Sequence, residues 1–211
     1  MKAIIFLIIT LFISMLSFSQ KRNIEFTIKT GAAHYEPNHI GVQISPQLNY
    51  YFFVSERIHI GTGLLFNSYR VSYEDKFMVN LPGGPVFINE IYSENRKYLG
   101  VHVNVEMRLF SLEKKIIPFV QPQVLFLNEV GREDFGGTFG SIINNQRDIR
   151  NSFNLNLTSG IVINNRIKFG LYYELTLRDT KNTYPLTPDY MVGASLNYLF
   201  NMSFKKKEVS E

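Results

Sequence analysis

The chain has 211 residues, 45% apolar and 19% charged, with 12 Tyr, 18 Phe and no Trp. This is enough for one sizeable core, and it is too apolar and aromatic for a disordered chain. The absence of Cys excludes disulfides, thiol chemistry, iron–sulfur clusters, Cys-based zinc sites and lipid attachment to an N-terminal Cys, and the formal charge of +4 is scattered, with no basic patch for nucleic acid.

Lys2 precedes an apolar run, Ala3–Leu16, broken only by Thr10 and Ser14. Ser17 and Ser19 then stand at the −3 and −1 positions of a cut before Gln20. The small-residue exit and the immediate switch to alternation favour a cleaved secretory signal over a membrane anchor. The predicted organisation is a signal peptide over 1–19, one domain over 20–204 and a basic tail over 205–211 carrying Lys205, Lys206 and Lys207.

From Asn23 onward the dominant period is two, which sends successive side chains to opposite faces of a strand. Ile24, Phe26 and Ile28 alternate with Glu25, Thr27 and Lys29. Val42–Phe52 sets Val42, Ile44, Leu48, Tyr50 and Phe52 against Gln43, Ser45, Gln47, Asn49 and Tyr51. Ile58–Phe66 alternates with His59, Gly61 and Gly63, and a change of phase near Asn67–Tyr69 predicts a bulge. Tyr98–Phe110 is the clearest segment: Leu99, Val101, Val103, Val105, Met107 and Leu109 oppose His102, Asn104, Glu106 and Arg108. Ile116–Asn128 is apolar on both faces, so its register is open. Phe153–Ile163, Ile167–Arg178 and Tyr190–Phe200 complete eight strands. Pro46 and Pro122 weaken their strands without ending them.

Eight antiparallel strands fit either a soluble lipocalin-like barrel with its apolar face inward or a membrane barrel with that face outward. The connections favour the second. Ser55-Glu56, Ser111–Lys115 and Asn164-Asn165 are tight turns, whereas Glu74–Lys97, Glu129–Asn151 and Asp179–Asp189 are long and Thr30–His39 is intermediate. Short periplasmic turns alternating with long outer loops are the habit of outer-membrane barrels. Tyr50, Tyr51, Phe52, Tyr69, Tyr73, Tyr98, Tyr190, Tyr198 and Phe200 lie near strand ends, as interfacial girdles would. The expected fold is an eight-stranded antiparallel up-and-down transmembrane β-barrel in the outer membrane, with both termini in the periplasm.

The YLGVHVNVEMRLF strand, the PF-x-QPQ start at Pro118–Gln123 and the GASLNYLF ending resemble the PorT-like outer-membrane β-barrel proteins of the Bacteroidetes. The resemblance covers most of 24–204 and rests on loose hydropathy patterns. In the last strand Gly193, Leu196 and Tyr198 fall where the recognition signal of the barrel-assembly machinery expects Gly and two spaced apolar residues; the chain departs from the usual pattern by running on past Phe200 into the basic tail. The resemblance implies envelope structure, support of a secretion system, or contact with a ligand or partner through outer loops.

Chemistry is sparse. His34 and His39, with Glu36, lie in the first outer loop, but their spacing fixes no third ligand, and a solvated loop is the simpler reading. His59 and His102 face the expected lumen at different heights. No Ser–His pair shares a strand face at the outer rim, so no catalytic site is expected. Gly61 and Gly63 lack the Gly-Lys-Ser/Thr ending of a phosphate loop and make room for bulky lumen neighbours. No cofactor and no metal are expected.

Two sets of residues remain. Glu106, Arg108, Lys168, Glu174 and Arg178, with Glu25 and Lys29, put both signs of charge on the lumen face. Eight strands leave an interior just wide enough for side chains, so these charges must pair into a structural network that plugs the barrel; a narrow ion path is the alternative. Leu81, Pro82, Val86, Phe87 and Ile88 form an apolar run in the Glu74–Lys97 connection, either folding over the mouth or offering a partner-binding edge. The expected partners are outer-membrane lipid and other envelope proteins. The expected function is non-enzymatic, with a small solute channel or a soluble periplasmic binder as alternatives.

Overall fold

Eight strands follow one another around the molecule: β1 (Arg22–Tyr35), β2 (His39–Val54), β3 (Ile58–Leu81), β4 (Gly84–Arg108), β5 (Ile116–Phe135), β6 (Asn151–Ile163), β7 (Ile167–Asp179) and β8 (Tyr190–Met202). Each pairs antiparallel with the next, and β8 returns to β1 to close the barrel. Closure satisfies the backbone of the barrel wall without an open edge, the condition for a sheet in hydrocarbon. The structure is a computed structural model and describes residues 22–35, 39–110, 115–135, 151–179 and 188–202. The predicted signal peptide, 1–19, and the basic tail, 205–211, lie outside the described residues.

The alternation of β4 shows which face is which. Leu99, Val101, Val103 and Met107 are exposed, Val103 by 49%, while His102, Asn104, Glu106 and Arg108 are buried. β1 and β7 obey the same sense: Phe26 and Ile28 point out and Glu25, Thr27 and Lys29 in; Phe169, Leu171 and Tyr173 point out and Lys168, Tyr172 and Glu174 in. A surface of this kind would be very unfavourable in water. Outward positions from Leu99 to Leu109 rise roughly 25 Å for a strand tilted about 40° at ~3.4 Å per residue, the height of a hydrocarbon belt. The soluble lipocalin-like alternative, with its apolar face inward, is therefore corrected.

At one end two of the expected turns are tight, while residues 111–114 of the third, Ser111–Lys115, lie outside the described residues. The Ser55 amide donates to the Ile58 carbonyl at 2.9 Å and its Oγ accepts from the Ile58 amide at 2.9 Å. Asn164 and Asn165 both have positive φ, 49° and 56°, and Arg166 N donates to Ile163 O at 3.0 Å. That is the twist-matching two-residue turn for which Asn is suited.

At the other end several expectations are corrected. Glu74–Lys97 is not a loop. β3 and β4 run on as a continuous ladder from Ile58↔Met107 to Leu81↔Gly84, turning only at Pro82 and Gly83. Proline presets the corner, and Gly84 sits at φ 116°, where a Cβ would be strained. The first connection shrinks too, because β1 and β2 pair as far as Tyr35↔His39. β5 continues to Phe135; the rest of Glu129–Asn151, residues 136–150, lies outside the described residues, as do 180–187 of Asp179–Asp189.

The predicted bulge at Asn67–Tyr69 does not form; β3 keeps one phase, with Leu65, Asn67, Tyr69 and Val71 all inward. The apparent change of phase arose because apolar side chains turn into the lumen there. Register shifts instead lie at Tyr51/Phe53, Lys97/Tyr98 and Phe153/Asn154. The first draws Phe52 into burial beside Tyr51. Tyr51, Tyr69 and Tyr98 are likewise lumen residues rather than girdle residues, whereas Tyr190, Tyr198 and Phe200 do face outward. Pro46 and Pro122 stay in the sheet: Pro46 pairs with Ile28 and Pro122 with Leu157, while the opposite ladders skip Ser45-Pro46 and Gln121-Pro122. Each proline costs a ladder step on one side only.

Candidate functional site

The inward positions stack into layers. Nearest the tight turns, Ile117, Phe119 and Val162 form an apolar stopper. Toward the opposite end a larger cluster of Ala33, Tyr35, Leu65, Tyr69, Val71, Tyr98, Leu125, Leu127, Tyr172 and Met191 fills the lumen. Polar groups occupy the space between.

The lower polar layer is built on Lys168. Its ammonium contacts the carboxylates of Glu25 on β1 and Glu106 on β4, and lies 5.1 Å from the Tyr51 ring centre and 5.6 Å from that of Phe119. Glu106 also accepts from Arg108 Nε at 2.7 Å, and His59 Nδ1 lies 3.6 Å from it. Asn49 and Asn197 donate to Glu25 at 2.9 and 3.1 Å. The Tyr51 hydroxyl sits 3.2 Å from Glu25 and 3.4 Å from Glu106, and accepts from Gln121 at 2.9 Å. Two carboxylates and two cations thus neutralise one another in a buried interior, where an unpaired charge would be very costly.

A second chain crosses higher. Lys29 Nζ donates to Gln123 and, at 2.9 Å, to Asn156 Oδ1; Asn156 Nδ2 donates to Glu174 at 3.0 Å, and Asn154 donates to the same carboxylate at 2.8 Å. His102 Nε2 lies 2.6 Å from Asn49 Oδ1. Gly61 and Gly63 stand where a Cβ would collide with Tyr51 and with the His102 ring.

Of the residues singled out from sequence, Glu106, Arg108 and Lys168 come together, and Glu174 belongs to the separate chain through Lys29 and Asn156. Arg178 lies on β7, but its side chain is outside the described set. The amides and phenol that complete the network, Asn49, Gln121, Gln123, Asn156 and Tyr51, were not singled out; inward parity on neighbouring strands was the available signal. His34 stacks on Tyr190 at 4.7 Å and lies 3.7 Å from Asp189, whereas Glu36 lies outside the described residues. Among the described residues no cluster of His, Asp and Glu could hold a metal ion.

Beyond the belt stands the β3–β4 hairpin. From Ser68↔Lys97 to its tip it extends roughly 45 Å at ~3.4 Å per residue. β5 supports its base as far as Ser93↔Phe135, and β2 leaves at Gly41↔Val71, so the upper part is a two-stranded ribbon. Met78 and Phe87 pair across one face, with Ile91 on the same face; Phe87 and Ile91 are 70% and 71% exposed. Of the expected apolar run, Leu81 and Pro82 form the tip, Val86 and Phe87 are exposed and Ile88 is half-buried. At the base, Lys97 pairs with Glu133, and Arg96 and Arg132 both meet Glu94. The hydrogen bond from Lys97 holds the exposed Glu133 carboxyl below its usual range.

The closed sheet, apolar exterior and packed interior with its charge-paired layer define a transmembrane β-barrel. No protein-family model matches the chain, and no curated protein matches it. Among solved structures it is similar to Neisserial surface protein A, at a TM-score of 0.50 and 8% identity over 87% of this chain and 97% of that one. The N-terminal β-barrel domain of Pseudomonas aeruginosa OprF (TM-score 0.39, 11% identity, 86% and 98% covered) and a major outer membrane protein from Thermus thermophilus (0.39, 12%, 84% and 99%) also match. At such identities the likeness is one of fold.

Proposed function

We propose that this is a non-enzymatic outer-membrane protein whose working part is the β3–β4 hairpin, presented outside the cell to another envelope component. The observation that carries this reading is the exposure of Met78, Val86, Phe87 and Ile91 on a ribbon that stands clear of the belt. Large apolar side chains held in water beyond a membrane are a recognised mark of an interaction site. The resemblance to PorT-like barrels supports a place in envelope structure or secretion-system support. A solute channel is the weaker reading, since apolar clusters flank a charge-paired layer in the lumen.

The test is photo-crosslinking in cells from a reactive amino acid at Phe87, with Val103 as the belt control. A discrete protein adduct from position 87 and none from 103 is expected. No adduct from 87, with normal assembly by heat-modifiable gel mobility, would contradict the proposal.

A further inference from the structure

We infer that the outward face of β3–β6, at the hairpin end of the belt, is a binding site for a phosphorylated, multiply acylated lipid of the adjoining leaflet. The proposal deepens the membrane reading by naming the lipid and the residues that select it. A groove of about 820 Å³ opens there, lined by Leu64, Leu99, Val101, Phe126, Phe153 and the Asn128–Asn151 pair.

The strand registers place these residues in rows. Leu64, Val101, Phe126 and Phe153 are consecutive cross-strand partners, one per strand. All but Phe153 are about half-exposed or more, and the Phe126 and Phe153 rings meet at 5.0 Å. The row above is Phe66, Leu99, Asn128 and Asn151. Above that come Ser68 and Lys97, then Arg70 and Asn95, with Glu133 opposite Asn95. Toward the hairpin, the surface passes from hydrocarbon to carboxamides to two cations. That is the order of acyl chains, ester or amide carbonyls and phosphate in a lipid. Across three strand spacings the groove is ~14 Å wide, enough for several acyl chains side by side.

Continuity with the belt makes the occupant a lipid, and the cations make it an anionic one. Lys97 is partly neutralised by Glu133, whereas Arg70, exposed on the outward face of β3, has no ion pair among the described residues. Each cation near a membrane surface contributes on the order of a fivefold preference for an anionic headgroup.

The chain contains no Trp, so Phe126→Trp gives a single reporter in the groove and Phe169→Trp, on β7, a belt control. Each protein is reconstituted in vesicles of phosphatidylethanolamine with brominated acyl chains, which quench Trp, and unbrominated lipid A is added at a few mole per cent. Emission from position 126 should recover well beyond dilution, and that from 169 by dilution only. Dephosphorylated lipid A should have lost the effect, and Arg70→Gln with Lys97→Gln should weaken it ~10-fold or more. Equal recovery at both positions, or the same recovery with and without phosphate, would make the groove ordinary belt and overturn the site. The assay needs only vesicles, so cell fractionation tests the outer-membrane reading separately.

Discussion

The ammonium of Lys168 on β7 contacts the carboxylate of Glu106 on β4, across the lumen and three strands away around the wall. Both side chains are fully buried. With Glu25 on β1 completing the contact, the pair holds three separate parts of the wall to one point. Removing the cation alone leaves two buried carboxylates facing each other. Lys168→Met should destabilise the barrel by about 3–5 kcal/mol, read from urea unfolding in detergent micelles. Adding Glu106→Gln should recover part of that loss; no recovery would mean that the cost came from lost packing.

Asn104 makes the opposite case. It is buried on the inward face of β4, and neither atom of its carboxamide has a hydrogen-bond partner among the described residues. Replacing such a group by an apolar one of similar size removes a desolvation penalty of about 1–3 kcal/mol. Asn104→Leu should therefore match or exceed the parent in the same unfolding experiment. Asn49→Leu, which removes donors to Glu25 and Thr27, should fall below it.

On the other face, Val103→Arg places a charge at mid-belt. The expected cost is about 2–4 kcal/mol, seen as a lower yield of the heat-modifiable folded form. Normal assembly of this variant would mean that Val103 does not meet lipid.

The pair at the hairpin base gives a pH prediction. The folded-state pKa of Glu133 is depressed by the hydrogen bond from Lys97. The stabilisation it brings is therefore present above the ordinary Glu pKa, ~4.3, and is lost as pH falls through the depressed folded value. An NMR titration of the Glu133 side chain should show a midpoint below that of a free Glu. Lys97→Gln should return it to the ordinary range.

The barrel was legible because alternation is a local signal: Leu99 to Leu109 against His102, Asn104, Glu106 and Arg108 needs no tertiary information. Legibility failed where the lumen stops being polar. Leu65, Tyr69 and Val71 point inward because the hairpin end of the lumen is stoppered with apolar side chains, and from sequence that reads as a slipped phase. The hairpin was hidden by its own turn, since Pro82-Gly83-Gly84-Pro85 and the charged residues beside it have a loop composition. Glu106 and Lys168 could be placed on the lumen face from parity. Their meeting with Glu25 could not, because it depends on the stagger of strands around a closed barrel.

The central claim is that inward side chains pack a closed lumen and lipid meets the apolar outside. A nitroxide scan tests it most directly, and the absence of Cys lets each single Cys from position 99 to 109 be labelled without background. In lipid vesicles, collision with oxygen should be high at 99, 101, 103, 105 and 107 and low at 102, 104 and 106, with little access to a water-soluble nickel reagent at the even positions. An inverted alternation would put the polar face toward lipid. Strong nickel access at the even positions would show an open aqueous lumen, and either result would contradict the account.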